Sequence, residues 1–281
     1  MRIDLHTHST RSDGTDTPAD LVAKAALAVD VIALTDHDTV DGWRDAAAAL
    51  PSGLTLVPGA EISCGADGRS LHMLAYLFDP AAPELTCELE RLATDRVRRA
   101  HVMVTKLQEL GVPISWDHVA GAAADGTIGR PHIASALVDL GVVPDVRSAF
   151  TPAWVGHGGR AYAEKYVLDP VVAVGLIRRA GGVAVLAHPL AEGHSLGDGL
   201  TEMTRRLVDA GLAGLEVDHP SHDVDDRRRL REIAAAFGLV ATGSSDYHGR
   251  IKDTELGACT TEPSAFETIL DLATGTSPVV G

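Results

Sequence analysis

Histidine is the commonest metal-binding side chain, and this 281-residue chain carries 13 of them against only 4% aromatic residues. His6 and His8, in DLHTHS, alternate by two, so on extended backbone both imidazoles face the same side. Asp246 and His248, in SSDYHG, repeat that alternation far along the chain. Asp13 stands in SDG, His37 in TDHD, Glu61 in PGAEIS, His72 in SLHMLAY and His188 in VAVLAHP. Singly, each has an ordinary reading: Asp13 forms a turn, His37 sits in a solvated cap, His72 is a satisfied core histidine. Together they are six histidines and three carboxylates. Such a set makes about nine or ten contacts if one carboxylate bridges, which suits three cations with positions left for water. Glu61, flanked by small residues, is a carboxylate able to bridge. Nitrogen and oxygen donors without thiolate point to manganese, iron or zinc rather than copper(I) or an iron–sulfur cluster. Two or three divalent ions are expected, manganese first.

Something must bring these groups together. Short apolar runs read as strands at residues 2–6, 31–35, 54–57, 71–77, 183–187, 215–217 and 239–242. Amphipathic stretches lie between them, one opening at Pro18. Alternating strand and helix predicts an α/β protein with largely parallel strands. His6 and His8, His37, Glu61, His188, and Asp246 with His248 all follow strands. Ligand-type residues at five strand ends suggest a β/α barrel, whose active site lies at that face. From about Glu84 the pattern turns wholly helical, so a helical insertion domain is expected at residues 98–160, between barrel parts 1–97 and 161–281.

Composition narrows the function. A hydrophobic share of 45% with 22% charged residues suits a globular core and excludes a disordered or coiled-coil chain. The net charge of −15 opposes gripping long nucleic acid, which needs many phosphates neutralised. No apolar run approaches the ~20 residues that span a bilayer, and MRIDLHTHS resembles no signal peptide, so a cytoplasmic protein without membrane contact is expected. Three cysteines without CxxC spacing argue against a disulfide framework or thiolate zinc site.

HTHSTRSDGT, ALTDHDT, GAEIS, LHMLAY, GGVAVLAHP and TGSSDYHG, taken in order, resemble the motifs of the PHP (polymerase and histidinol phosphatase) superfamily, in particular its small TrpH-like phosphoesterases. The resemblance covers almost the whole chain. It implies a distorted (β/α)7 barrel with a trinuclear metal site and a helical insertion over the mouth. Carried over by position, one metal takes His6, His8, Glu61 and Asp246; a second shares Glu61 and adds His72 and His188; a third takes Asp13, His37 and His248. Asp36 and Asp38 are read as groups orienting His37.

The reaction implied is hydrolysis of a phosphate ester by metal-activated hydroxide, with Glu61, His8, His188 and Asp246 at its centre and water, His8 or His188 protonating the leaving group. The narrower family suggests 3′,5′-bisphosphonucleotides or short 5′-phosphorylated oligonucleotides. A second phosphate needs fixed cations, and Arg130 with His132, in GRPHIA, stand together at a helix start. His222 is a further substrate candidate, Arg160 and Lys165 weaker ones, and His219 is equally plausible as a packing residue. The runs DRVRRA and DRRRLRE read as solvated helix faces, and His101, His118, His157 and His194 are assigned nothing. Histidinol-phosphate phosphatase is the alternative enzyme, and a non-catalytic metal-binding module the alternative of another class. No obligate protein partner is inferred.

Overall fold

The computed structural model describes residues 1–123, 128–191 and 195–281; His194 lies outside them. Strands β1 (Ile3–Asp4), β2 (Val31–Leu34), β3 (Thr55–Ala66), β4 (Arg69–Tyr76), β5 (Val183–Ala187), β6 (Gly214–Asp218) and β7 (Val240–Gly243) pair in chain order, and β8 (Val279–Val280) pairs with β3. A parallel bridge between Thr7 and Tyr247 joins the first and last turns, so the sheet nearly closes into a barrel. Helices α1 (Pro18–Ala25), α2 (Trp43–Ala48), α3 (Pro83–Glu109), α4 (Trp116–Ala123), α5 (Arg130–Asp139), α6 (Val146–Ala149), α7 (Pro170–Arg179), α8 (Leu200–Ala210), α9 (Val224–Phe237) and α10 (Pro263–Leu272) complete the chain.

The strands are not uniformly parallel. β4 is antiparallel to both its neighbours, whereas β1, β2 and β3, and β5, β6 and β7, run parallel. The reason is the tight Asp67–Gly68 turn, with both residues at positive φ, which folds β4 straight back on β3 without a crossover helix. His72 lies midway along its strand, in register with Ser63 and Ala187, and reaches Glu61 on β3.

Period-two alternation sorts the strand side chains. Val31 and Ala33 pack with Ile3, Leu5, Val57, Leu74 and Val185 inside the barrel, while Ile32 and Leu34 meet α1 and α2 outside. Leu215 and Val217 face the helical layer of α7, α8 and α9, which turns Glu216 inward. Pro18, Pro170 and Pro263 open α1, α7 and α10, where a missing N–H costs nothing. A separate apolar cluster runs from Ala100 to Ala163 through α4, α5 and α6. α3 is continuous between the barrel and this cluster, its first turns packing Leu85 and Leu89 on the barrel and its last turns packing Met103 and Leu107 in the second core. Among the described residues no helix is long and apolar enough to cross a membrane.

Candidate metal centre and phosphate cavity

The residues picked out by type and spacing converge. His6 and His8 Nε2 each lie 3.2 Å from Glu61 Oε2, and 3.4 and 3.3 Å from Asp246 Oδ1. His72 Nδ1 and His188 Nε2 approach Glu61 Oε1 at 2.6 and 2.9 Å. His248 Nε2 and His37 Nε2 stand 3.4 and 3.7 Å from the Asp13 carboxylate, and His37 Nδ1 is 3.0 Å from Glu61 Oε2. Glu61 thus lies at the hub, and both its oxygens face imidazoles.

Three histidines have their tautomers set from behind. His6 Nδ1 meets Glu216 Oε1 at 3.0 Å and His248 Nδ1 meets the Asp246 carbonyl at 2.8 Å; both oxygens only accept, so each Nδ1 carries the proton. His8 Nδ1 donates to Ser12 Oγ at 3.3 Å, because that hydroxyl already donates to Asp36 at 2.6 Å. Each Nε2 is left with its lone pair toward the centre, the form that binds a cation. His6 Nε2, His8 Nε2, His37 Nδ1 and Asp13 Oδ1 are buried without hydrogen-bond partners. An orphaned buried polar atom costs about 1–3 kcal/mol, and cations among these atoms would remove that cost. The donor set fits divalent metal: His8, Asp13, His37 and His248 form one close group, His6, His8 and Glu61 another, and His37, Glu61 and His72 a third.

The local backbone is bent to make this centre. Five described non-glycine residues have positive φ, and Asp38, His188 and Asp246 are three of them. Such strain persists where surrounding contacts over-determine the turn. Gly14 is required for a different reason: a Cβ there would lie 2.4 Å from the His8 carbonyl, so only glycine lets the Asp13 loop close over His8. Burial alone would raise the Glu61 carboxyl, but His37, His72 and His6 outweigh it and hold the group well below its usual range. Burial likewise opposes Asp246, and Lys252 and His248 more than compensate.

Several groups escaped the sequence reading. Glu216 is fully buried and accepts from the His188 N–H at 2.7 Å, from Ser244 and from His6. The signal was present, an acid between apolar residues in GLEVD. His219 is more than packing, because its Nε2 lies 3.3 Å from Asp246 Oδ2, to which Lys252 also donates. Among the described hydrogen bonds, neither Asp36 nor Asp38 meets the His37 ring. Asp36 accepts from the Ser9 amide and from the Ser9 and Ser12 hydroxyls, and Asp38 accepts from the Ser63 amide at 2.6 Å and from Arg96 Nε at 2.5 Å.

Above the centre lies a cavity of about 490 Å³. Asp13, His37, Glu61, His72, His188, Asp246 and His248 line it together with Arg96, Arg99, Arg130, Lys165 and Phe150. DRVRRA is therefore not a solvated face: Arg96 binds Asp38 and Ser63, and Arg99 donates to the Ala163 carbonyl at 2.6 Å. In DRRRLRE, Arg227 donates to the His219 and His222 carbonyls and Arg229 to that of Gly197. The Arg130 guanidinium stands over the Phe150 ring, 5.4 Å from its centroid. Lys165 donates to Ser70 Oγ at 2.9 Å, and burial, reinforced by Arg96, pushes its pKa down to about 7. Arg160 is exposed and outside the cavity lining. His132 lies buried in the first turn of α5, its Nδ1 accepting from the Gly129 amide at 3.0 Å. His222 does not line the cavity; its Nδ1 meets the Val217 carbonyl at 2.9 Å and its Nε2 the Leu190 amide at 3.4 Å.

No protein-family model matches the chain. Individual relatives do. A 5′-3′ exoribonuclease of Haemophilus influenzae is 36% identical over 258 residues, 91% of this chain and 93% of the relative. A 3′,5′-nucleoside bisphosphate phosphatase of Chromobacterium violaceum is 36% identical over 261 residues, 88% of this chain and 87% of the relative. The crystal structure of a candidate metal-dependent phosphoesterase from Bifidobacterium adolescentis superposes with a TM-score of 0.89 at 35% identity, covering 97% of this chain and 96% of that one. With near-full-length similarity and a histidine–carboxylate centre at the mouth of the barrel, the chain belongs to the PHP family of metal-dependent phosphoesterases, hydrolases of phosphate ester bonds.

Proposed function

We propose that the substrate is a nucleotide carrying two phosphates, either a 3′,5′-bisphosphonucleotide or the 5′ end of a short phosphorylated oligonucleotide. The observation that carries this reading is one cavity lined both by the candidate metal ligands and by Arg96, Arg99, Arg130 and Lys165. A phosphate at the ligands reacts while a second is held by the cations. The activities of the two curated relatives support the same reading. Residues 98–160 are read as an insertion domain that contributes Arg130 and Phe150 to the wall, and the compartment as cytoplasmic.

Two or three divalent ions would be held by the nine residues of the centre, manganese first, with iron or zinc as alternatives. Bound there, such ions lower the pKa of water and offset charge on the reacting phosphate. The chain does the rest. Glu216 keeps the proton on His6 Nδ1, Ser12 and the Asp246 carbonyl do so for His8 and His248, and Arg130 and Lys165 fix the far phosphate. One water is consumed, the P–O3′ bond breaks and O3′ gains a proton. His8 and His188 are both among the nine residues that would hold the ions, so a water in the cavity supplies that proton. Histidinol phosphate carries an ammonium that the cationic wall would repel.

The test is a panel of phosphate esters assayed for manganese-dependent release of inorganic phosphate. A 3′,5′-bisphosphonucleotide should exceed both histidinol phosphate and a nucleoside monophosphate in kcat/KM by at least tenfold. Preference for histidinol phosphate would overturn the reading.

A further inference from the structure

Among the described residues the barrel closes without a ladder between its first and last strands: β1 pairs with β2, and β7 with β6. Across that seam stand the two loops that carry the alternating ligand pairs, His6 with His8 after β1 and Asp246 with His248 after β7. Asp4, the last residue of β1, lies in the seam. Its side chain is fully buried, and among the described residues no cation pairs with it. Backbone amides converge on it instead. Its Oδ1 accepts from Ser245 at 2.9 Å and, more distantly, from His6 at 3.5 Å, and its Oδ2 accepts from Gly257 at 2.8 Å. We propose that Asp4 is a positioning residue of the metal centre, holding the His6–His8 loop against the Asp246–His248 loop at the spacing that a cation requires. The inference rests on the metal reading of the centre and is independent of the substrate.

The donors explain the residue type. The Ser245 and Gly257 amides approach different oxygens of one side chain. A carboxylate accepts at both, whereas asparagine would turn its own NH2 toward one of them. Burying a charge without a cation is costly unless hydrogen bonds compensate it. Here the compensation comes from the two segments being joined. Backbone bonds cross the seam on either side, from the Thr261 amide to the Ile3 carbonyl at 2.8 Å and from the His8 amide to the Tyr247 carbonyl at 2.9 Å. Asp4 spans the gap between them. Gly257 is in turn fixed from behind, because Arg2 Nη2 donates to its carbonyl at 3.2 Å. What the seam spaces is sensitive to small shifts. His6 and His8 Nε2 stand 3.4 and 3.3 Å from Asp246 Oδ1, and metal coordination tolerates only about 0.2 Å in each bond. A displacement that the fold absorbs is therefore one that the coordination does not.

The experiment compares wild type, Asp4→Asn and Ile177→Ala, the last a core substitution on α7 outside the seam. Manganese affinity is read from the free-ion signal in electron paramagnetic resonance, and stability from urea denaturation of metal-free protein. Losing a contact that orients metal ligands costs about 10–100-fold in metal affinity. Asp4→Asn should therefore weaken the binding of at least one manganese ion by about tenfold or more. Ile177→Ala should lose stability yet bind manganese within about twofold of wild type, which separates positioning from general loosening of the fold. Should Asp4→Asn fail to fold, Asp4→Glu, which keeps both acceptors but moves them by one methylene, is held to the same tenfold criterion. A smaller weakening, or an equal weakening in the seam and core variants, would overturn the positioning role and leave the metal centre standing. A wild type that binds less than one manganese per chain would overturn the metal reading itself, and this inference with it.

Discussion

Glu216 illustrates how one buried side chain sets the chemistry of others it never shares a substrate with. It holds the proton on His6 Nδ1, accepts the His188 amide and takes the Ser244 hydroxyl. Burial opposes its charge, but His6, His219 and His188 outweigh that and hold its carboxyl well below the usual range. A carboxyl depressed in the folded state stabilises the fold above its unfolded pKa of about 4.3 and loses that contribution as pH falls toward the folded value. Glu216→Gln should therefore lower stability by about 2–3 kcal/mol at pH 7. The gap to wild type should hold steady above about pH 5 and narrow as pH is lowered through 4. Urea denaturation of metal-free protein at several pH values checks this; a gap that widens on acidification would contradict it. The nine centre residues were legible from the sequence because short-range pairs such as His6–His8 and Asp246–His248 declare themselves by spacing. Glu216 was not, because an acid between apolar residues in GLEVD does not by itself say which face of the strand turns inward.

At the scale of elements, the centre depends on turns that strands and helices hold in strained shape. The TDHD turn, with Asp38 at φ 57°, is pinned between the Ser63 amide of β3 and Arg96 of α3. The Asp38 side chain is fully buried, so removing its cation leaves a charge without compensation. Arg96→Ala should cost about 3 kcal/mol and reduce bound metal by loosening the turn that carries His37, while Arg96→Lys should recover part of both. Thermal unfolding with elemental analysis measures the two effects together; an alanine variant with unchanged metal content would mean the pin is not needed. Strand positions were readable to within a few residues, VAVLA most sharply, because apolar runs bounded by turns are local signals; the exception is β3, expected to end at 57 but continuing to Ala66, which puts Glu61 within the strand. The reversal of β4 and the inward turn of Arg96 and Arg99 were not, since both follow from packing between segments distant in sequence. A run such as DRVRRA looks solvated until the helix beneath it is known to border a cavity.

Across the whole molecule, acidic residues dominate, yet the barrel mouth collects cations opposite a centre built to hold more of them. That juxtaposition favours a ligand with two separated negative groups, one met by metal and one by guanidinium and ammonium. Fold class and the clustering of histidines and carboxylates were open to a reading of order and spacing. The second half of the cavity was only partly so, because Arg130 announced itself at a helix start and Lys165 as a weaker candidate, whereas Arg99 became visible only through burial. A charge-assisted contact to phosphate contributes roughly 1.5–3 kcal/mol, about tenfold to a hundredfold in kcat/KM. The decisive measurement is therefore kcat/KM of wild type and Arg130→Ala, with manganese, on a 3′,5′-bisphosphonucleotide and on a simple aryl phosphate. A loss of about tenfold to a hundredfold on the bisphosphonucleotide, with little change on the aryl phosphate and unaltered metal content, is the predicted result. An equal loss on both substrates, or no loss on either, would contradict a cavity that holds one phosphate at the metals and another at Arg130.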